Sequence, residues 1–188
     1  MRIIAGAWRG RPIQAPAGQS TRPTADRARE GLFSMLASRL GSFDGLAVAD
    51  LFAGSGALGL EALSRGAASC LFVETDRAAA DLIRRNLQAL GGGDRAEVRC
   101  QPAERLSPSR RFDLVLADPP YRSGLAEALV PRLADWLAPG GWASIESGAP
   151  LPADTPGLQR MVERRFGRAT ITLFSRAAEP ASAVPVAP

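Results

Sequence analysis

Asp118-Pro119-Pro120-Tyr121 closes the apolar run Phe112-Asp113-Leu114-Val115-Leu116-Ala117. Proline has no N–H to donate and fixes φ, so two in succession freeze the backbone and leave a carbonyl with no local partner. Beside that carbonyl stand a carboxylate and a flat ring. Two acceptors next to a stacking surface suit the exocyclic amino group of a planar base or amide. A strand that merely ends in a Pro-rich turn is the plain alternative, and a second motif upstream weighs against it.

That motif is Asp50-Leu51-Phe52-Ala53-Gly54-Ser55-Gly56-Ala57-Leu58-Gly59, between the apolar Leu46-Ala47-Val48-Ala49 and a run with Leu60, Ala62 and Leu63. Glycines at a strand-to-helix turn let the backbone approach a ligand, and the helix N-terminus favours polar or anionic groups. Gly54 to Gly59 satisfies the dinucleotide fingerprint, with an acid, Glu74, about twenty residues on. A carboxylate there accepts from ribose hydroxyls in NAD or in S-adenosylmethionine and does not discriminate between them. Asp50 does, because its position at the strand end suits the cationic amino-acid part of S-adenosylmethionine. The Asp-Pro-Pro-Tyr turn also ends the fourth predicted strand, which lies beside the first in a doubly wound sheet, at the switch-point crevice where such sheets bind ligands. Both features favour S-adenosylmethionine over NAD.

The elements that must position these residues follow from a pass along the chain. Arg2-Ile3-Ile4 and Arg11-Pro12-Ile13 flank Ala5 to Gly10 and predict a small hairpin carrying an exposed Trp8. From Thr24, a predicted N-cap, Ala28, Leu32, Phe33, Leu36 and Leu40 follow helical spacing, with Asp26, Arg29 and Glu30 off the buried stripe. Strands are predicted at 46–51, 70–74, 95–100, 112–117 and 142–146, with helices at 57–65, 77–90 and 124–137. An antiparallel pair, 160–166 with 169–175, turns at Gly167. Such alternation predicts a parallel sheet covered on both faces. The Ala/Pro/Val-rich segment 177–188 is expected to be a disordered tail after a single domain over 1–176.

With 188 residues and 46% hydrophobic content, the chain suits one globular domain with a real core. No run approaches the ~20 apolar residues of a membrane span, and Met1 to Gly6 lacks a signal-peptide apolar region. Cys70 and Cys100 are placed on neighbouring strands too far apart for a disulfide, so two reduced, buried thiols in a cytoplasmic protein are expected. The chain has no histidine, which excludes an imidazole base, a Ser-His-Asp triad and a His-containing metal site. With only two cysteines, no metal is expected.

All 23 basic residues are arginine. Residues 1–40 hold seven arginines against two acids and residues 158–176 five against one, whereas 41–157 hold eleven against fifteen. An acidic sheet with basic segments at both ends is the electrostatic footprint of a nucleic-acid partner.

These residues resemble the bacterial 16S rRNA guanine-N2 methyltransferases over roughly residues 2–176. The likeness rests on Arg2-Ile3-Ile4-Ala5-Gly6 with Trp8-Arg9-Gly10-Arg11, and on Arg22-Pro23-Thr24 with Asp26-Arg27 and Arg29-Glu30. It continues through Asp50 to Gly59 and Leu60 to Gly66, and ends on Asp118 to Tyr121. The last motif is shared by many amino-group methyltransferases; the Arg-Pro-Thr segment is far more specific. Ala5 stands where the family usually has Gly.

The resemblance implies a class I methyltransferase: α/β, Rossmann-like, a seven-stranded mostly parallel sheet with an N-terminal hairpin-and-helix addition. It implies that Asp50, Gly54 and Gly56, with Phe52 and Ser55 of the same turn, shape the methionine end of S-adenosylmethionine. Glu74 would hold the ribose, with Asp76 second to it, and Ala103 and Glu104 would meet the adenine edge. Glu104 reads equally as a solvated surface acid. Asp118, Pro119, Pro120 and Tyr121 form the catalytic set. Trp8, Arg9, Arg11, Arg22, Arg27 and Arg29 are expected to contact 16S rRNA, naked or within a small-subunit particle, in a monomeric enzyme. The alternatives are another amine, such as adenine N6 or a protein glutamine amide, and a non-catalytic RNA-binding assembly factor.

Overall fold

The computed structural model describes residues 1–16, 23–107, 109–121, 124–152, 154–167 and 169–178. Its centre is one sheet with strand order β3-β2-β1-β4-β5-β8-β7-β6. The strands are β1 (Ala47–Leu51), β2 (Ser69–Glu74), β3 (Ala96–Cys100), β4 (Phe112–Ala117), β5 (Leu137–Ser147), β6 (Asp154–Thr155), β7 (Leu158–Phe166) and β8 (Ala169–Arg176). Strands β1 to β5 run parallel, whereas β8 is antiparallel to both β5 and β7. The expected seven strands are present, and the two-residue β6 extends the edge.

Helices cover both faces because β1, β2 and β4 are buried on both sides, as their near-continuous apolar runs require. Val48, Leu114, Leu116, Ile171 and Leu173 pack beneath α1 (Pro23–Leu40), α2 (Ala57–Ser64) and α3 (Arg77–Leu90). Ala49, Leu51, Val73, Val115, Ala117 and Phe174 pack beneath α4 (Leu125–Trp136) through Leu129, Val130, Leu133 and Trp136. Helix α1 starts at Pro23, so Thr24 lies in its first turn and is not its cap; proline fits that first position because its missing N–H has no helical partner there.

The N-terminal segment is less regular than a hairpin. A single antiparallel bridge joins Arg2 to Pro12, backed by Ile3 N–H to the Arg11 carbonyl at 3.1 Å. Its stability comes from docking on α2. Glu61 is fully buried, and its carboxylate accepts from the Ile4 and Ala5 N–H groups at 2.8 and 3.0 Å and from Arg65 at 2.8 Å. That set compensates a charge that burial alone would make costly. Gly6, at φ 83°, passes so close to the Ser64 carbonyl that any side chain would collide with it.

Three expectations are corrected here. Trp8 is not exposed: only 7% of it is accessible, its backbone N–H donates to Ser64 Oγ at 2.9 Å, and the Arg95 guanidinium lies 5.1 Å over its ring. An apolar ring of that size beside α2 gains more from burial than from solvent. Arg29 is likewise only 7% accessible; it donates to the Arg2 carbonyl at 2.7 Å and pairs with Asp26 at 3.2 Å, fastening the N-terminal segment to α1. Cys70 is buried as expected, but Cys100, at the end of β3, is exposed. Arg22 and residues 179–188 lie outside the described residues.

Candidate active site

The parallel strands end along one edge of the sheet, and the acids expected to do chemistry lie there. Leu51 pairs with Val73 and Ala117, Glu74 with Cys100, and Ala117 with Ile145. Asp50, Glu74, Asp118 and Glu146 therefore sit within a residue or two of the C-terminal ends of four strands.

The turn after β1 is built on left-handed backbone. Phe52, Gly54 and Gly56 have φ of 59°, 55° and 79°. For Phe52, the only non-glycine residue among those described with positive φ, this conformation is strained, and such strain collects at ligand sites. A Cβ at Gly54 would touch only the Phe52 carbonyl, at 4.0 Å, so the turn leaves its backbone bare at the sheet edge.

Glu74 locks this turn to β2. One carboxylate oxygen accepts from Gly54 N–H at 2.7 Å, the other from Thr75 and Asp76 N–H at 2.7 and 2.9 Å. Asp50 lies beneath the turn, 1% accessible, and accepts from Gly59 N–H at 2.8 Å. It thus ties β1 to the first turn of α2. Burial raises its pKa well above the usual carboxylate range; the Gly59 bond opposes this, while Asp118 and Glu74 add to it. Asp50 shapes the turn from below and does not line it. Ser55 is buried, and its carbonyl accepts from Asn86 Nδ2 at 3.1 Å.

Asp76 caps α3, its carboxylate accepting from Ala79 N–H at 2.9 Å. Ala103 is buried in a single 3-10 turn over 103–105, where Glu104 is exposed. Arg132 of α4 clamps that turn through the Glu104 and Leu106 carbonyls while packing over Trp136.

Pro119 is buried, whereas Tyr121 is 50% accessible and presents its ring at the surface of the cleft. The Tyr121 hydroxyl donates to Glu146 Oε1. Asp118 is open to the cleft and hemmed in by protein on its other sides. That burial, with the Glu146 charge second, pushes its pKa to about 7. Burial and the bond to Glu146 also push the Tyr121 hydroxyl up, so it stays protonated and keeps donating.

Glu146 and Asn86 are functional candidates that the sequence reading missed. Glu146 resembles an ordinary solvated acid at a strand end. Asn86 carried a usable signal, a polar residue inside the apolar stripe Leu82, Ile83, Leu87, Leu90 of α3. It holds Ser55 with one hand and the N-terminal segment with the other, accepting from Gln14 N–H at 2.9 Å and donating to its carbonyl at 3.0 Å.

Among the described residues no cluster of His, Cys, Asp and Glu is placed to hold a metal ion, and no helix is long and apolar enough to cross a membrane. The strand-end site instead combines a bare glycine turn with carboxylates at Glu74 and Asp118, acceptors that fit the hydroxyls of a ribose and the charge of a neighbouring cationic sulfonium.

A 3-2-1-4-5 parallel sheet with an antiparallel strand inserted next to its edge, a glycine turn after β1 and an Asp-Pro-Pro-Tyr turn after β4 define a class I S-adenosylmethionine-dependent methyltransferase. A solved structure described as "Putative methyltransferase yhhF from Escherichia coli" superposes with a TM-score of 0.81 at 37% identity, covering 95% of this chain and 99% of the other. The chain belongs to the family described as Conserved hypothetical protein 95, which it matches over residues 1–175. It is 38% identical over 186 residues to ribosomal RNA small subunit methyltransferase D of Escherichia coli K12, covering 95% of this chain and 91% of the relative. The protein of the same name from Haemophilus influenzae is also 38% identical, over 163 residues and 83% of each chain.

Proposed function

We propose that this enzyme methylates the N2 amine of a guanine in 16S rRNA, in the cytoplasm and as a monomer. The observation that carries the reading is the Asp118–Pro119 pair of acceptors set beside an accessible Tyr121 ring, next to the glycine turn. Its relatives' names as small-subunit rRNA methyltransferases support the substrate class.

The residues that would hold S-adenosylmethionine are the Phe52–Gly56 turn at the methionine end, Glu74 at the ribose and Ala103 at the adenine edge. Held by those residues, S-adenosylmethionine would supply an electrophilic sulfonium methyl to the amine, with S-adenosylhomocysteine as the leaving group. The guanine N2 lone pair is delocalised into the ring and is a poor nucleophile. Asp118 and the Pro119 carbonyl accept hydrogen bonds from its two N–H groups, favour a pyramidal nitrogen and so free the lone pair. Fixing the amine in line accounts for most of the acceleration. As charge develops on nitrogen, the Asp118 carboxylate takes the surplus proton, a task suited to a group titrating near the working pH. The Tyr121 ring stacks on the extruded base.

Arg9 and Arg27 are exposed and, with Arg22, remain proposed RNA contacts. Arg11 spends its guanidinium on the Ala89 and Leu90 carbonyls at the end of α3. Arg164 and Arg165 of β7 join the proposed contacts. Through β8 they share register rows with Glu146 and Ser147, which puts two exposed cations on the catalytic edge of the sheet.

The test is methyl transfer from labelled S-adenosylmethionine to naked 16S rRNA and to small-subunit particles, with the product nucleoside identified by mass spectrometry. N2-methylguanosine is the expected product. N6-methyladenosine, or label on protein, would overturn the reading.

A further inference from the structure

Glu146 takes no part in the transfer just described, yet it stands at the mouth of the catalytic turn. Ala117 and Ile145 are partners on adjacent parallel strands, so Asp118 and Glu146 are the next residues along a ladder whose strands lie about 4.8 Å apart. Both preceding side chains sit in the core beneath α4, and alternation turns the two acids away from it. The Tyr121 hydroxyl fixes one carboxylate oxygen of Glu146, Oε1, leaving Oε2 without a hydrogen bond among the described residues. Among those residues no arginine pairs with either acid.

Two carboxylates side by side, with no arginine paired to either among the described residues, repel; the Glu146 charge adds to the burial that chiefly raises the Asp118 pKa. A fold keeps such an arrangement where a ligand relieves it. The ligand that does so presents adjacent N–H donors. Guanine has this pattern on its Watson–Crick edge, N1–H next to the N2 amine. Bases with an unprotonated N1 offer a lone pair there, which a carboxylate repels.

We infer that Glu146 is a specificity-determining residue, its Oε2 accepting the guanine N1–H while Asp118 and the Pro119 carbonyl hold the N2 amine. Tyr121 then has two duties, a ring that stacks on the base and a hydroxyl that aims Glu146 along the base edge. The inference rests on the guanine-N2 reading and adds the group that chooses guanine among bases carrying a 2-amino group.

The experiment uses full-length protein and 16S rRNA fragments carrying guanine or 2,6-diaminopurine at the target position. Both offer an amine at C2, but N1 is a donor in the first and an acceptor in the second. Methyl transfer from labelled S-adenosylmethionine is measured as kcat/KM for the wild type, Glu146→Gln, Glu146→Asp and Tyr121→Phe. The wild type is expected to favour guanine by roughly a hundredfold or more, as a site built around a substrate donor does. Glu146→Gln, whose amide can donate to an unprotonated N1, is expected to shrink that ratio by about tenfold or more with cofactor affinity unchanged. Glu146→Asp keeps the charge with a shorter reach, so transfer to guanine falls while the preference for it stays. Tyr121→Phe, which removes the hydroxyl that aims Glu146, is expected to lose part of the preference while transfer to guanine is largely retained.

An unchanged ratio in Glu146→Gln, with transfer to both bases reduced alike, would overturn the inference and leave Glu146 as a support for Tyr121 while the guanine-N2 reading stands. Failure of the wild type to methylate guanine N2 at all would remove both. If Glu146→Gln did not fold, a wild type that treated the two bases alike would be sufficient to reject the inference.

Discussion

Gly54 and Glu74, twenty residues apart in the chain, are joined by a 2.7 Å hydrogen bond from the turn's N–H to the carboxylate at the end of the neighbouring strand. The acid proposed to hold the cofactor ribose is therefore already part of the cofactor turn. Glu74→Ala is expected to weaken S-adenosylmethionine by the value of a charged hydrogen bond, on the order of 1.5–3 kcal/mol. Glu74→Gln keeps an acceptor for Gly54 and should lose less. Calorimetry checks both, and NAD is expected not to bind; NAD affinity comparable to that of S-adenosylmethionine would contradict the cofactor assignment.

Asp118 gives a pH signature in two readouts. Its pKa is raised to about 7, so kcat/KM should climb as pH rises through that value and the carboxylate ionises. Removing the neighbouring charge with Glu146→Gln should move the rise to lower pH. The stability effect has the opposite sign. Between the unfolded carboxylate's value near 4 and the folded value near 7, the folded state holds the extra proton, so this group favours folding below that window and disfavours it above. Asp118→Asn should therefore melt higher than wild type at pH 8, show little gain at pH 4, and lack most activity throughout. A variant that melts lower at pH 8 would disprove the proposed strain at this position.

At Tyr121, the ring and the hydroxyl can be separated. Tyr121→Ala should lose stacking worth roughly 1–3 kcal/mol in the rate-determining complex, whereas Tyr121→Phe keeps the ring and most transfer to guanine. Equal loss in the two variants would deny the stacking role.

The arginines divide into contacts with RNA and contacts with the protein itself. Alanine at Arg9, Arg27, Arg164 or Arg165 should leave the melting temperature in place and flatten the salt dependence of RNA binding, by about 0.7 to 0.9 per lost phosphate contact. Arg29→Ala and Trp8→Ala should instead lower the melting temperature, the latter by the cost of emptying a buried aromatic site, about 3–5 kcal/mol. Normal melting of Trp8→Ala with weakened RNA binding would restore an RNA role for that ring.

Asn86 makes a claim on both the site and its cover. Asn86→Leu keeps the volume but strands the Ser55 carbonyl and both polar groups of Gln14. The buried Ser55 carbonyl left without a partner costs about 1–3 kcal/mol, whereas water reaches the backbone of the exposed Gln14. Melting temperature and cofactor affinity should fall together; a drop in stability with unchanged affinity would show that the clamp does not reach the glycine turn.

Much of this was legible in the residues because the relevant signals are local. Strands β1, β2 and β4 are apolar on both faces, the glycine turn needs positive φ, and Gly167 marks the terminal antiparallel pair. The misses depend on register and long-range contact. Trp8 looks like a hairpin-tip aromatic until Ser64 and Arg95, more than fifty residues away, are seen to enclose it. Arg29 has the spacing of an exposed helical position, yet the chain's first two residues lie over it. Strand β5 begins at Leu137, earlier than the Pro139-Gly140-Gly141 turn suggested, because a shift in register between Phe112 and Leu114 accommodates those residues within the ladder. Glu146 becomes more than a strand-end acid only once β4 and β5 are known to be neighbours.

The place of β8 has a consequence for how the molecule is made. Among the described residues it follows every other strand, yet it lies inside the sheet, between β5 and β7. Until it arrives, the strand that carries Glu146 has a bare edge, and β7 has only the two-residue β6 beside it. During synthesis the cofactor half, β1 to β4, can form while the chain is still emerging, but the wall that carries Glu146 stays unsupported until the final strand slots in. A methyltransferase built this way completes the edge that carries Glu146 only after β8 has been made.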